Sequence, residues 1–450
     1  MKIPRIKLID NISGLQLFQL LRFAVFLVIS IVFTKSHLTQ VEIGAWEMFL
    51  FAASLLSFFW VTGIIQSLLP LYHRNMTYRK MGDNGEGKSP EIFNAFIILS
   101  GMSILMFIFG HTLKGSVDVY GFRGNVPYIN LLLLYILLSN PVCLIEYIYL
   151  LNNRSYRILQ YGIYTFGAQL ALVLVPIIIG KDIIWSIYGL LLITGVRWIW
   201  LIVLLRRYTD MTISVKFIRE HLHYGAPLIL SSLISGSGQY IDGLIITAYY
   251  DDPAVFAIFR YGAKEFPLVL MLANGLSNAM LPEFSTRPRM AESLRTIKIK
   301  SEKLMHYLFP SAMVMMLFSR WLFPRMFTPD FVRSADVFLL YLLLVIPRLV
   351  FPQTILIGRK KTRVTMLAAL LEQAINIPLS LFLVKHYGVV GVALATFIVY
   401  TLEKAFLAWY LWYKMKIKPS EYISVNVWLI YSALLCLLFV LIDHRIIDFH

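Results

Sequence analysis

The chain has 450 residues, of which 58% are hydrophobic and only 15% charged, with a formal net charge of +16. A soluble domain carries about a quarter charged residues, so this composition excludes a sizeable soluble domain. The positive excess is not a nucleic-acid footprint either, because no compact basic domain exists to present one.

Apolar runs long enough to span a bilayer, about 20 residues each, recur from end to end. They predict helices at roughly 13–34, 42–70, 91–111, 127–151, 157–179, 183–205, 222–250, 254–283, 303–323, 336–357, 363–386, 389–413 and 423–443. The first run follows Lys2, Arg5 and Lys7 but contains Gln16, Gln19 and Arg22 and lacks a small-residue cleavage site. It reads as a retained first helix, not a signal peptide. Cys143 and Cys436 both fall inside apolar runs, which argues against a disulfide framework or a cysteine metal site.

The loops carry a charge alternation. Lys2/Arg5/Lys7, Arg74/Arg79/Lys80/Lys88, Arg154/Arg157, Arg206/Arg207/Lys216/Arg219, the group from Arg287 to Lys303, Arg359/Lys360/Lys361/Arg363 and Lys414/Lys416/Lys418 together hold 26 cations. The intervening loops and the tail hold nine. Basic loops stay cytoplasmic, so this pattern predicts a multi-pass membrane protein with its N-terminus inside.

Two halves are visible. The stretch from Thr34 to Leu69-Pro70 has a counterpart from Thr247 to Leu281-Pro282, each a helix end, a short loop and a long helix closing in Leu-Pro. Internal repeats of this kind are common in transporters. The expected fold is all-α: about 12–13 transmembrane helices in two pseudo-repeated six-helix bundles, plus one extra C-terminal helix. The expected domains are an N-terminal lobe at 1–207, a cytoplasmic connection at 208–221, a C-terminal lobe at 222–414 and the added helix within 415–450.

Charges inside hydrocarbon cost several kcal/mol or more, so they face a cavity or a partner. Six cations (Arg22, Arg197, Arg260, Lys264, Arg348, Lys404) and six carboxylates (Glu47, Glu146, Asp242, Glu265, Glu372, Glu403) fall within the spans. In the eighth span Arg260, Lys264, Asn274 and Asn278 lie within about 40° of one line on a helical wheel. Pro267 interrupts that helix, as is tolerated beside a cavity. Two readings apply: a solvated cavity wall, or cations paired with Asp242 or Glu265. In the seventh span Ser231, Ser235, Gln239 and Asp242 share a face, which fits helix packing as well as cavity lining. Gln19 and Arg22 share a face of the first span, and Arg22 lies too deep to reach the interface easily. Arg348 stands between Pro347 and Pro352, where either a kink sealed by an arginine–carbonyl contact or a cavity charge fits. Glu372 shares a face with Asn376, and Glu403 one with Thr396 and Tyr400. These carboxylates fit proton coupling or interhelix pairing, the latter including Glu403 with Lys404.

Other motifs carry no chemistry here. Gly82 to Ser89 matches the phosphate-loop pattern, but no buried strand precedes it, and Ser89-Pro90 opens a transmembrane helix. No zinc-protease, serine-hydrolase or paired-cysteine motif appears, so no catalytic residue, metal or cofactor is expected.

Several stretches resemble the polysaccharide-transporter branch of the multidrug/oligosaccharidyl-lipid/polysaccharide exporter superfamily. They are Leu21-Arg22-Phe23, Val41 to Trp46, Tyr224-Gly225-Ala226-Pro227-Leu228, Asp242 and Leu281-Pro282-Glu283-Phe284-Ser285. Gly358-Arg359, Asn376-Ile377-Pro378-Leu379 and Tyr387 to Ala393 continue the likeness, which spans nearly 1–414. The resemblance implies two six-helix lobes around a central cavity, alternating access across a bacterial cytoplasmic (inner) membrane and, as substrate, undecaprenyl-pyrophosphate-linked sugar repeat units. Arg22, Arg260 and Lys264 occupy places similar to cations thought to face the pyrophosphate in related flippases. The thirteenth span departs from the twelve or fourteen common in that branch.

The leading expectation is a flippase for lipid-linked oligosaccharides in surface polysaccharide biosynthesis, such as the O-antigen of lipopolysaccharide, and not an enzyme. Its substrate-binding cations would be Arg22, Arg260, Lys264 and Arg348, with Asp242, Glu372, Glu403, Asn274 and Asn278 as a coupling or polar network. Its partners would be the lipid-linked oligosaccharide and membrane lipids, with a polysaccharide polymerase and glycosyltransferases beside it and no nucleic acid. A cation-coupled multidrug exporter of the same fold is the alternative. A membrane-embedded polymerase or acyltransferase fits less well, since the longest outer segment, 111–127, offers only His111, Asp118 and Arg123.

Overall fold

The computed structural model describes residues 11–82, 89–113, 126–152, 154–265, 267–285 and 290–444. The phosphate-loop pattern at Asp83–Lys88, the outer-segment residues Asp118 and Arg123, and the basic residues Lys2, Arg5, Lys7, Arg287 and Arg289 lie outside these residues. Every regular element among the described residues is a helix.

The chain divides into two compact units, Met1–Ser237 and Gly238–His450. The first holds α1 (Asn11–Thr34), α2 (Gln40–Gly82), α3 (Pro90–Leu113), α4 (Ile129–Val142), α5 (Leu144–Leu151), α6 (Ser155–Ile178), α7 (Ile183–Tyr208) and α8 (Val215–Gly236). The second holds α9 (Gly238–Tyr250), α10 (Pro253–Gly262), α11 (Pro267–Ser285), α12 (Met290–Met326) and a 3-10 turn at Pro329–Phe331. It continues with α13 (Val332–Leu343), α14 (Val345–Arg348), α15 (Pro352–Gly358), α16 (Thr362–Tyr387), α17 (Val389–Met415), α18 (Pro419–Tyr422) and α19 (Val425–Asp443).

Among the described residues nine helices or near-continuous helix pairs are long and apolar enough to cross a membrane. A further span is bent by 48° where Pro329–Arg348 gives way to Pro352–Gly358. The seventh, eighth and ninth expected spans fall on α8–α9, α10–α11 and α12. The protein is therefore a multi-pass membrane protein. Its surface agrees: Leu105, Ile178 and Ile199 are largely exposed, whereas Asn94, Asn140, Asp242, Asn376 and Glu403 are buried. That inversion is stable only where the surroundings are hydrocarbon.

Local signals start the helices. Thr39 and Glu42 cap α2 reciprocally, Thr39 N donating to Glu42 Oε2 at 2.8 Å and Glu42 N donating to Thr39 Oγ1 at 3.3 Å. Ser214 accepts from Phe217 N to open α8, and Asp252 accepts from Ala254 N ahead of Pro253 to open α10. Within the first unit α8 lies against α2 at closest approach. A β-carbon at Gly63 would come within 2.6 Å of the Ile229 amide nitrogen, so only glycine fits there.

Both stretches of the sequence repeat begin on a threonine that makes the ordinary side-chain bond to a carbonyl of its own helix. Thr34 Oγ1 donates to Ile31 O at 2.9 Å, and Thr247 Oγ1 donates to Leu244 O at 3.0 Å, each three residues back along its helix. The halves then diverge. α2 runs unbroken for 43 residues, about 65 Å at 1.5 Å per residue, while its counterpart is cut between Gly262 and Pro267 into α10 and α11.

The helix α19 belongs to the second unit through specific contacts with α12–α14. His306 Nδ1 lies 3.0 Å from Tyr431 Oη, and the Tyr431 ring stacks on Phe309 at 5.3 Å. Trp428 Nε1 donates to Ile346 O at 3.0 Å, and Arg320 donates to Ile442 O at 2.6 Å while pairing with Asp336.

Candidate functional site

The second unit concentrates its buried polar groups where interrupted helices meet. Asp242 on α9 is 6% exposed and accepts three hydrogen bonds from three other helices. Tyr341 Oη on α13 donates at 2.8 Å, Thr396 Oγ1 on α17 at 2.6 Å and Asn376 Nδ2 on α16 at 3.2 Å. One turn on, Ser380 Oγ donates to Asn376 Oδ1 at 3.1 Å, fixing the amide so that its NH2 faces the carboxylate. The three donors are neutral, so they solvate a charge without cancelling it.

A second cluster ties two helix interruptions together. Arg348 ends α14, and Glu265 sits in the break between α10 and α11. Arg348 Nε donates to Glu265 Oε2 at 3.0 Å and Nη2 donates to Oε1 at 2.6 Å, a bidentate pair. The Tyr400 ring on α17 lies 4.6 Å from the guanidinium carbon of Arg348 and 4.7 Å from Lys404 Nζ. Two cations thus share one π face system. Lys404 Nζ also donates to Gln353 Oε1 at 3.0 Å and lies 2.9 Å from Glu403 Oε2. That last approach is off the hydrogen-bonding direction, because the two residues are adjacent on one helix. Glu372 on α16 is half-buried, within electrostatic reach of Glu403, Lys404 and Arg348.

Arg260 and Lys264 are both half-buried at the same break, Arg260 at the end of α10 and Lys264 just beyond it, with Lys264 Nζ 4.8 Å from the Tyr261 ring. The expected single stripe is split. Arg260 and Lys264 precede the interruption, whereas Asn274 and Asn278 are exposed one turn apart on α11. A wheel drawn through Pro267 assumed one helical phase, and the break resets it.

In the first unit Arg22 is exposed on α1, and Gln19 one turn before it donates to the buried Glu146 at 3.3 Å. Arg197 donates to Gln169 Oε1 at 2.9 Å and lies 5.3 Å from the Phe166 ring, while Ser30 Oγ donates to Glu47 at 3.3 Å. Among the described residues no group of three or more His, Cys, Asp or Glu side chains is placed to hold a metal ion. The sequence reading did not single out Tyr341, Gln353 or Ser380. Ser380 lies four residues after Asn376 and continues the Glu372–Asn376 face, whereas Tyr341 and Gln353 are revealed only by their tertiary partners.

The sequence pattern of a family described as polysaccharide biosynthesis protein matches residues 76–336. The chain belongs to that family. No curated protein sequence matches it. Among solved structures its fold is similar to an inward closed conformation of the lipid II flippase MurJ, with 17% identity, a TM-score of 0.65, and coverage of 95% of this chain and 99% of that one. It is also similar to an inward-facing multidrug resistance transporter of the MATE family, in the MOP superfamily, with 16% identity, a TM-score of 0.62 and coverage of 87% and 93%. A MOP superfamily transporter from Pyrococcus furiosus matches at 14% identity and a TM-score of 0.56, with coverage of 90% and 96%. At these identities the likeness establishes a shared fold, that of the MOP superfamily transporters with their two pseudo-repeated bundles. The family assignment agrees with the polysaccharide-transporter resemblance carried by the sequence.

Proposed function

We propose that the protein is a flippase that moves undecaprenyl-pyrophosphate-linked oligosaccharide repeat units across the cytoplasmic membrane by alternating access, for surface polysaccharide biosynthesis. The observation that carries this reading is the broken eighth span, which holds Arg260 and Lys264 half-buried at one interruption in a polysaccharide-biosynthesis family protein. Cations at membrane depth are retained where they meet an anionic partner, and a pyrophosphate carries the charge density to be one. Arg22 is assigned the same chemistry in the first unit. Arg348 joins them only when a competing anion displaces Glu265 from its guanidinium.

Asp242 is the proposed coupling carboxylate. Its neutral donors would hold it ionised in one state and release a proton or cation in the other, while Glu372 and Glu403 would buffer the neighbouring Arg348 and Lys404. Asn274 and Asn278, exposed on α11, would offer amides to the sugar hydroxyls. The same Asp242 arrangement also serves the second reading, an exporter of organic cations, in which it would attract the cargo itself. The N-terminus, the connection at 208–221 and the other basic loops would lie inside the cell, with a polymerase and glycosyltransferases acting before and after translocation.

The test is complementation. In cells deprived of their own flippase, the native chain should restore surface polysaccharide, and the Arg260→Gln/Lys264→Gln variant, present in the membrane at equal level, should not. Full restoration by that variant would refute the reading.

A further inference from the structure

The helix α8 presents one exposed face with two chemistries in sequence. Its first three turns carry Lys216, Arg219 and His223, all exposed, and its later turns carry Ala226, Leu230 and Leu233, also exposed, with Leu230 at 58%. At 100° per residue these six side chains fall within about a 100° sector. The opposite side of the helix packs on α2 near Gly63 and Ser67, where the buried His221 ring donates from Nε2 to Ile64 O at 2.9 Å. The face is therefore held in orientation by the fold.

A shallow cavity of about 490 Å³ lies at the cationic end, lined by Val215, Lys216, Arg219, Glu220 and His223. Glu220, the acidic member, is half-buried and engaged in an interaction of its own. Just before it, Met211 and Ile213 in the segment that joins α7 to α8, and Val215 at the start of α8, are exposed apolar side chains. Apolar side chains bordering a cationic cluster at the end of a membrane helix belong in the headgroup region of a bilayer.

We propose that this face seats an anionic phospholipid, its headgroup phosphate among Lys216, Arg219 and His223 and its acyl chain along Ala226, Leu230 and Leu233. The order of the two chemistries along α8 argues for it. A soluble anion would need only the cationic turns, and a protein partner would not need an apolar strip continuing into the membrane-spanning part of the helix. This inference is independent of the transported substrate.

The experiment uses the full-length protein in vesicles of phosphatidylcholine with a minority of phosphatidylglycerol, extracted gently and weighed with its retained lipids by native mass spectrometry. The native chain should retain phosphatidylglycerol in preference to phosphatidylcholine. Lys216→Gln/Arg219→Gln/His223→Gln should lower that preference by about fivefold for each Lys or Arg removed, while Lys216→Arg/Arg219→Lys should keep it. Should the triple variant fail to fold, salt titration of the native chain decides, since the preference should fall as salt screens the headgroup. A triple variant with native preference, a preference indifferent to salt, or displacement of the bound phosphatidylglycerol by undecaprenyl pyrophosphate at equimolar level would overturn the proposal.

Discussion

The guanidinium of Arg348 holds both carboxylate oxygens of Glu265, at 3.0 and 2.6 Å, across 83 residues of sequence. Each partner stands where a helix is interrupted, so the pair bridges two points at which the backbone could otherwise yield. Two consequences follow for chemistry. The break between α10 and α11 is braced from the side of α14, and the strongest anion receptor near the break is already occupied.

Breaking that pair should cost stability on either side. The side chains are 24% and 23% exposed, so Glu265→Gln should destabilise the protein by about 1–3 kcal/mol, less than the ~3–5 of a fully buried pair. Thermal unfolding in one detergent measures it. The Glu265→Gln/Arg348→Gln double variant should be more stable than the sum of the singles, because no lone charge is left behind. Strict additivity would mean that the pair carries no stabilising interaction.

Around Asp242 each neutral donor should matter only while the carboxylate is charged. Thr396→Val should lower stability by about 1.5–3 kcal/mol, the range for a hydrogen bond to an ionised group, and Tyr341→Phe should behave alike. In an Asp242→Asn background both losses should shrink. Asp242→Asn itself should leave the fold intact yet abolish any dependence of transport on a proton or cation gradient. A variant that transports with unchanged gradient dependence would remove Asp242 from the coupling role.

Much of this was legible in the sequence, for physical reasons that can be named. Apolar runs read directly as spans because the bilayer permits few other structures. Pro267 announced the interrupted eighth span, and the shared faces of Thr396 and Tyr400, and of Glu372 and Asn376, flagged two of the three donors or their neighbours. What stayed hidden was partnership. Nothing in an apolar run distinguishes Tyr341 from a packing tyrosine, and no local pattern links Glu265 to Arg348 rather than to Arg260 or Lys264 nearby. The stripe through Asn274 and Asn278 was drawn on one uninterrupted helix, although the proline that breaks the phase was itself in view.

Close packing makes a separate test possible. A β-carbon at Gly391 would overlap the carbonyl oxygen of Leu383 where α17 turns back along α16. Gly391→Ala should therefore cost about 1–3 kcal/mol through overpacking, whereas Gly275→Ala, at a position with open space around it, should be near neutral. The two variants' thermal midpoints in one detergent provide the comparison.

The helix α19 should prove structural. Arg320→Leu removes both the Asp336 pair and the hydrogen bond to Ile442 O, and should cost about 1–2 kcal/mol. Limited proteolysis should then cut between α17 and α19 earlier than in the native protein. Unchanged midpoint and cleavage would show that the Arg320 contacts do not hold α19 in place.

The most direct measurement of the central claim is binding of undecaprenyl pyrophosphate, against undecaprenol as the uncharged control, to the purified native protein and to Arg260→Gln/Lys264→Gln. The expected result is binding that requires the pyrophosphate and weakens by at least about tenfold, or about 1.4 kcal/mol, in the double variant. Equal binding of the two lipids, or an affinity indifferent to the two substitutions, would contradict the assignment of these cations to a lipid-linked substrate.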